Sequence, residues 1–413
     1  MQVAVFHPGT QHSWQTALAL QQLDRLAWYA TSIFYDPARF PYRLERYVPA
    51  PLARRMHAEF RRFSHPGLDP SRVRTTGLAE WFERIAARAG LSGLAKRIDR
   101  YGNRRFGRSL AAAIGSDDRF ALWGYSSSSL DAFELAKRHG RRCILDRTNG
   151  DFGIYNDRMH AVREAYPDWF LPKERAVSDA KIAAERREYE LADAILVGSP
   201  FAAETLRSAV PGPALDAKLR VLNYCFDEAL FAGVAPPAPV SRTGPVRFLF
   251  LGLAIPRKGI HHVLEAVSRI PRSQASLTIV GELGVPEAAF TPYADRVDYR
   301  RTVARADVPA IMAAHDVLLL PSYFEGAGIV LYEALAAGCA LIQSRNCALA
   351  VTPDTGILLD SVSTDALHAA MMTAIDARDR LDHWRSQAQT EAGGYSFGQY
   401  RANIAQLLED LGI

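Results

Sequence analysis

The sequence predicts an α/β protein of two doubly wound domains, each a parallel sheet covered on both faces by helices. Three observations predict this fold class. Short apolar runs alternate with amphipathic stretches of helical length, the alternation breaks once at a Pro-rich segment, and it then begins again. A chain of 413 residues is also too long for one ordinary core, so length alone favours two domains.

In the first half, Val3–Phe6 reads as a strand, and the spacing predicts a helix from Trp14 to Leu23. Phe120–Trp123 is a second strand, with a helix over Leu130–His139 behind it. Strands at Arg142–Leu145, Ala194–Val197 and Leu219–Leu222 continue the alternation around helices at Ser178–Leu191 and Phe201–Ser208. The segment GVAPPAPVSRTGP, Gly233–Pro245, is rich in Pro and Gly and poor in large apolar side chains, as a hinge linker is. Beyond it Val246–Leu251, Ser276–Val280, Arg296–Tyr299, Val317–Leu320 and Ala340–Ile342 supply further strands, with helices between, one of them Ile260–Ile270. The domains expected are therefore 1–232, the hinge 233–245, and 246–394. A terminal helix, Gly398–Leu411, carries Tyr400, Ile404, Leu407, Leu408 and Leu411 at helical spacing. In such a pair of domains ligands bind outside the carboxyl ends of the strands, in a cleft that the hinge can close.

Composition narrows the function classes. With 48% hydrophobic and 23% charged residues the chain is an ordinary globular one. Its four cysteines, Cys143, Cys225, Cys339 and Cys347, form no C-x-x-C pair, which argues against a zinc site or a disulfide framework and fits the cytoplasm. The first strand meets Pro8-Gly9 too early for a secretion signal, and no run approaches the roughly 18 apolar residues that span a bilayer. The net charge of +4 is uneven: residues 39–108 hold 17 Lys and Arg against 6 Asp and Glu. The interleaving seen in Leu52–Phe63 suits either solvated amphipathic helices or a peripheral contact with anionic lipid or a pyrophosphate-carrying acceptor, through residues such as Arg54, Arg55, Arg61 and Arg62. No nucleic-acid motif accompanies the charge.

The chemistry concentrates in Pro321–Gly338, PSYFEGAGIVLYEALAAG. A strand ends at Pro321, a loop carries Glu325-Gly326-Ala327-Gly328, and a helix follows from Ile329 to Ala337. The glycines let backbone approach a ligand, and the first helical N–H groups suit an anion such as a pyrophosphate. Glu325 and Glu333 do not help to bind an anion and are better explained as acceptors for sugar hydroxyls. A second element strengthens the first. The run FLFLGLAIPRKG, Phe248–Gly259, stops a buried strand at Gly252 and delivers Arg257 and Lys258 from a short loop, at the same sheet edge. Lys258 there can neutralise charge on a departing diphosphate, and Arg257 can add a forked contact.

Together, Gly252…Arg257-Lys258-Gly259 and Ser322…Glu325-Gly-x-Gly328-x-x-x-x-Glu333-Ala-x-Ala-x-Gly338 resemble the GT-B retaining glycosyltransferases of family 4, the group 1 glycosyl transferases. Tyr189–Phe231 and the terminal segment from Tyr395 are similar as well, so the resemblance covers roughly 185–413. It implies the GT-B fold, two Rossmann-like domains facing across a cleft, with residues 395–413 packed back on the first. It implies that Lys258 and Arg257, with the backbone of Ala327, Gly328, Ile329 and Val330, bind the diphosphate of the donor. Glu325 would meet the transferred sugar, Glu333 the ribose hydroxyls, and Gly9 would approach the donor from the first domain. The implied reaction is transfer with retention from a UDP- or GDP-sugar to a saccharide or lipid-linked acceptor, in assembly of bacterial surface polysaccharide or glycolipid. No D-x-D triplet occurs, so neither metal nor further cofactor is expected, and the enzyme would work in the cytoplasm or at the inner membrane face.

The chain departs from the family pattern at three places. Leu253 stands where an Arg often follows the first glycine, Gly9 stands alone where a Gly-Gly turn is usual, and the usual histidine of the first domain has no clear counterpart, with His7 or His12 able to serve although a lone histidine near a loop is more often structural. These departures would also fit a GT-B chain that binds nucleotide or sugar without catalysis. A nucleotide-sugar epimerase or a phosphorylase shares the architecture, but the former needs acid/base residues not found here and the latter a longer chain. No G-x-G-x-x-G follows a strand, which disfavours NAD binding.

Overall fold

The computed structural model describes residues 1–9, 12–38, 42–47, 49–51, 53–54, 57, 63, 65, 67–75, 93, 97–98, 106 and 110–413. It divides into two compact units: 1–147 with 183–196 and 401–413, and 148–182 with 197–400. Most of the basic segment 39–108, including Arg55, Arg61 and Arg62, lies outside the described residues.

The first sheet has seven strands in the order β3-β2-β1-β4-β5-β6-β7. They are β1 (Gln2–Phe6), β2 (Leu26–Thr31), β3 (Val73–Thr75), β4 (Phe120–Tyr125), β5 (Cys143–Arg147), β6 (Ala194–Val197) and β7 (Leu219–Val221). Strands β4 and β5 are buried along their whole length, the mark of a parallel sheet covered on both faces. Helices Ser13–Gln22, Leu130–Arg138 and Asp179–Leu191 fall within a residue or two of expectation. Strand β2 and the helix Phe152–Ala165 were not expected. That helix has a readable start, since the Asp151 carboxylate accepts from the N–H groups of Gly153 and Ile154.

The second sheet has six strands in the order β10-β9-β8-β11-β12-β13. They are β8 (Val246–Leu251), β9 (Ala275–Val280), β10 (Asp298–Arg300), β11 (Val317–Leu320), β12 (Ala340–Ser344) and β13 (Gly356–Leu359), paired in parallel throughout. Alternation along the strands builds two cores. Phe248, Phe250, Val317 and Leu319 face one way, with Met159, Trp169 and Phe170. Leu249, Leu318 and Leu320 face the other, with Leu331, Tyr332 and Leu335. Each such side chain contributes about 1.5–3 kcal/mol of burial free energy. The chain order reverses between β8 and β11, so this sheet's switch point lies where their carboxyl-terminal loops diverge.

The Pro-rich segment 233–245 is irregular, as its composition predicts, but its backbone is strapped to the helix Arg378–Ala392. The N–H of Val240 donates to Asp382 at 2.7 Å, and Arg385 donates to the carbonyl of Ala238 at 2.7 Å. Polar groups on the helix supply the anchoring that few apolar side chains in the segment could. Among the described residues no helix is long and apolar enough to cross a membrane.

Candidate functional site

The loops after β8 and β11 meet. After β8 the chain turns at Gly252, whose φ of +134° favours glycine, and a Cβ there would lie 3.0 Å from Lys258 Nζ. A short 3-10 turn, Pro256–Lys258, then presents Arg257 and Lys258. It ends at Gly259, left-handed at φ +70°, where a Cβ would come within 2.3 Å of the carbonyl oxygen of Pro321. Glycine at 259 is thus what allows the β8 loop to close on the β11 loop. Further bonds hold the two together. Tyr323 N–H donates to the carbonyl of Arg257 at 2.8 Å, and Arg257 Nη1 donates to the carbonyl of Phe324 at 2.6 Å.

This closure brings Glu325, Arg257 and Lys258 into one cluster. Glu325 Oε1 accepts from Arg257 Nη1 at 2.8 Å and lies 3.4 Å from Lys258 Nζ. All three side chains are mostly buried, with exposures of 11, 20 and 13%. The Arg257 contact has the length of a charge-assisted bond, whereas the Lys258 contact is looser, so the ammonium can turn to a second anion without losing a strong partner.

Downstream of Glu325 the backbone is held by its carbonyls and leaves its donors free. Ser199 Oγ donates to the carbonyl of Gly326, and the N–H of Ala348 donates to that of Ala327 at 2.8 Å. The N–H groups of Gly326, Ala327, Gly328, Ile329 and Val330 find no acceptor among the described residues. Five consecutive N–H groups without an acceptor, beside two cations, suit a multiply charged anion. The helix that follows is Val330–Ala336, slightly shorter than expected.

Glu333 lies on that helix, buried, and is ion-paired to Arg305 in the turn after β10. Burial works against the Arg305 charge, but the hydrogen bond and charge of Glu333 outweigh it and raise its pKa. The partner was not foreseen, since nothing in the run RTVARAD marks Arg305 as opposite a helix 28 residues away. Gly9 is in the other unit, just after β1, where a Cβ would meet the His7 ring at 2.9 Å. The structure thus brings Gly252, Arg257, Lys258, Glu325 and Gly326–Val330 together, with Glu333 on the adjoining helix. His7 is buried, and burial holds its pKa below the usual value.

Comparison with known proteins fits this geometry. Residues 235–391 match the model of the glycosyl transferases group 1 family, so the stretch bearing both site loops carries that signature. A solved structure of Anabaena Alr3699/HepE in complex with UDP superposes over 99% of this chain and 100% of its own, with TM-score 0.60 and 15% identity. Sucrose-phosphate synthase from Thermosynechococcus elongatus covers 100 and 99%, with TM-score 0.62 and 17% identity. The fold is GT-B. In sequence, the lipopolysaccharide glucosyltransferase WaaG of Escherichia coli (strain K12) is 36% identical over 107 residues, which is 25% of this chain and 29% of that protein. The matched stretch spans less than a third of that relative's own length.

Proposed function

We propose that the protein is a retaining glycosyltransferase, of the family 4 type, that moves a sugar from a nucleotide-diphosphate donor to an acceptor hydroxyl. The observation that carries this is the cluster of Lys258, Arg257 and Glu325 joined to the open N–H groups of Gly326–Val330. The donor diphosphate takes the cations and the backbone donors, and Glu325 keeps its second carboxylate oxygen for a hydroxyl of the transferred sugar. Glu333, steadied by Arg305, accepts from the ribose hydroxyls. UDP is the first nucleotide to test, because a neighbour of the same fold holds it. Assembly of a bacterial surface polysaccharide or glycolipid is supported by the partial match to a lipopolysaccharide glucosyltransferase.

The reaction breaks the bond from the anomeric carbon to the β-phosphate oxygen. It forms one to the acceptor oxygen on the same face, and the acceptor proton passes to the leaving phosphate oxygen. Charge then grows on that phosphate, where Lys258 and the fixed amide dipoles stabilise it without reorganising. The positive charge that a divalent cation would otherwise bring comes from Lys258 and Arg257, the reason to expect turnover without added metal.

The experiment is turnover of a panel of UDP-, GDP- and dTDP-sugars, ranked first by thermal stabilisation, with NMR of the product. The expected product keeps the donor's anomeric configuration, and Glu325→Ala forms it about 10³-fold more slowly. An inverted product contradicts the retaining mechanism, and full activity in Glu325→Ala contradicts the site.

A further inference from the structure

We infer that Tyr323 is a positioning residue for Glu325, held by a directed hydrogen-bond relay that runs through His262 and Thr364 to Glu265. The inference rests on the donor-site reading above and concerns side chains that the reacting groups do not touch.

Tyr323 lies two residues before Glu325 in the loop after β11. Its backbone is fixed on both sides, by its own N–H to Arg257 at 2.8 Å and by Arg158 Nη1 to its carbonyl at 3.0 Å. Its side chain reaches the helix Ile260–Ser268. There the hydroxyl lies 2.6 Å from His262 Nε2, His262 Nδ1 lies 2.8 Å from Thr364 Oγ1, and Thr364 Oγ1 lies 2.7 Å from Glu265 Oε2.

The Tyr323 hydroxyl also lies 3.5 Å from His261 Nε2, and one directed chain of protons satisfies the three shorter contacts. An ionised carboxylate only accepts, so the Thr364 hydroxyl donates to Glu265. The Thr364 oxygen then accepts from His262 Nδ1–H, which leaves Nε2 with a lone pair, and the Tyr323 hydroxyl donates to it. The arrangement needs a neutral imidazole and a protonated phenol. Burial supplies both, lowering His262 to about 4 and raising Tyr323, with the Tyr166 hydroxyl adding to the latter. His261 backs the relay: its ring stacks on Tyr323 at 5.8 Å, and Tyr166 packs against both histidines at 4.4 and 5.2 Å.

A relay with every proton assigned fixes direction as well as distance, and it ties the loop to two helices at once. Glu325 must hold Arg257 and Lys258 while meeting a sugar, and an error of a fraction of an ångström there lowers the rate rather than the affinity.

The test uses the full chain and the sugar nucleotide that most raises its Tm. Tyr323→Phe keeps the ring and removes only the O–H. We expect kcat to fall about tenfold, with donor KM within about twofold and Tm within a few degrees. Thr364→Val cuts the relay at its far end and should give the same kcat-against-KM split, and Thr364→Ser should restore kcat. Nitrogen NMR of the wild type at pH 7 should show His262 as the Nδ1–H tautomer. Wild-type kcat in Tyr323→Phe, an Nε2–H tautomer, or Thr364→Ser as impaired as Thr364→Val each overturns the relay. Lys258→Ala in the same assay separates the two ideas. If it is inactive while Tyr323→Phe is fully active, the relay fails and the donor site stands; if it is active, the donor-site reading itself fails.

Discussion

The carboxyl ends of the two sheets hold charge in opposite ways. In the first, three buried acidic groups are paired within the fold. Glu188 accepts from the N–H groups of Ser127 and Ser129 at 3.0 and 2.8 Å, and Glu185 is ion-paired to Arg147 at the end of β5, both buried. Asp146 accepts from Trp123 Nε1 at 3.3 Å. In the second, Glu325 carries two cations on one oxygen, one of them loosely, next to five open N–H groups. Charges that close on one another build a fold, whereas charges left with spare valence can meet a ligand. That difference is the reason to propose the second sheet, and not the first, as the seat of the donor.

Two buried glutamates test it most strongly. Glu325→Ala should lower turnover by about 10³-fold, equivalent to about 4 kcal/mol, while Tm falls only a few degrees, because the freed cations reach solvent. Glu185→Ala should do the reverse. Removing this buried ion-pair partner of Arg147 should cost about 3 kcal/mol in denaturant unfolding with no change in donor affinity. If Glu325→Ala unfolds the protein and Glu185→Ala removes activity, the comparison is inverted.

A graded effect should appear with pH. Burial lowers His262 to about 4 in the folded state, so the folded protein binds fewer protons than the unfolded chain between there and the usual 6.5. Stability from this group is therefore complete above about pH 6.5 and lost as pH falls towards 4. The groups facing it are His261, Tyr166, Tyr323 and Thr364, and His261 acts in the same direction. Urea titrations across that range should show a falling midpoint, with a shallower slope in His262→Gln. Smallest of all, Gly252→Ala crowds the Lys258 ammonium and strains the backbone, which should raise donor KM several-fold and cost about 1–2 kcal/mol.

Much of the second domain could be read from its sequence because physical causes there are local. Val246–Leu251 and Val317–Leu320 are apolar runs that stop at Gly252 and Pro321, and both are the strands expected. The first domain hid more. Strand β2 follows a helix with no Gly or Pro between, because Asp24 itself takes the left-handed turn at φ +56°. In the second unit the helix Phe152–Ala165 was not expected either, although Asp151 caps it in the usual way. In the site, residue types were legible and pairings were not. That Glu325 binds Arg257 follows from the closure at Gly259. That Glu333 meets Arg305, or that Tyr323 reaches His262, follows from sheet order, which no local pattern encodes.

Lys258 and its neighbours are proposed as the seat of the donor diphosphate. Calorimetric titration of UDP and of GDP into the wild type and into Lys258→Ala tests it most directly. The account predicts that the nucleotide bound by the wild type binds the variant about 10–100-fold more weakly, the loss of one charge-assisted contact. Equal affinity in the two proteins would contradict it.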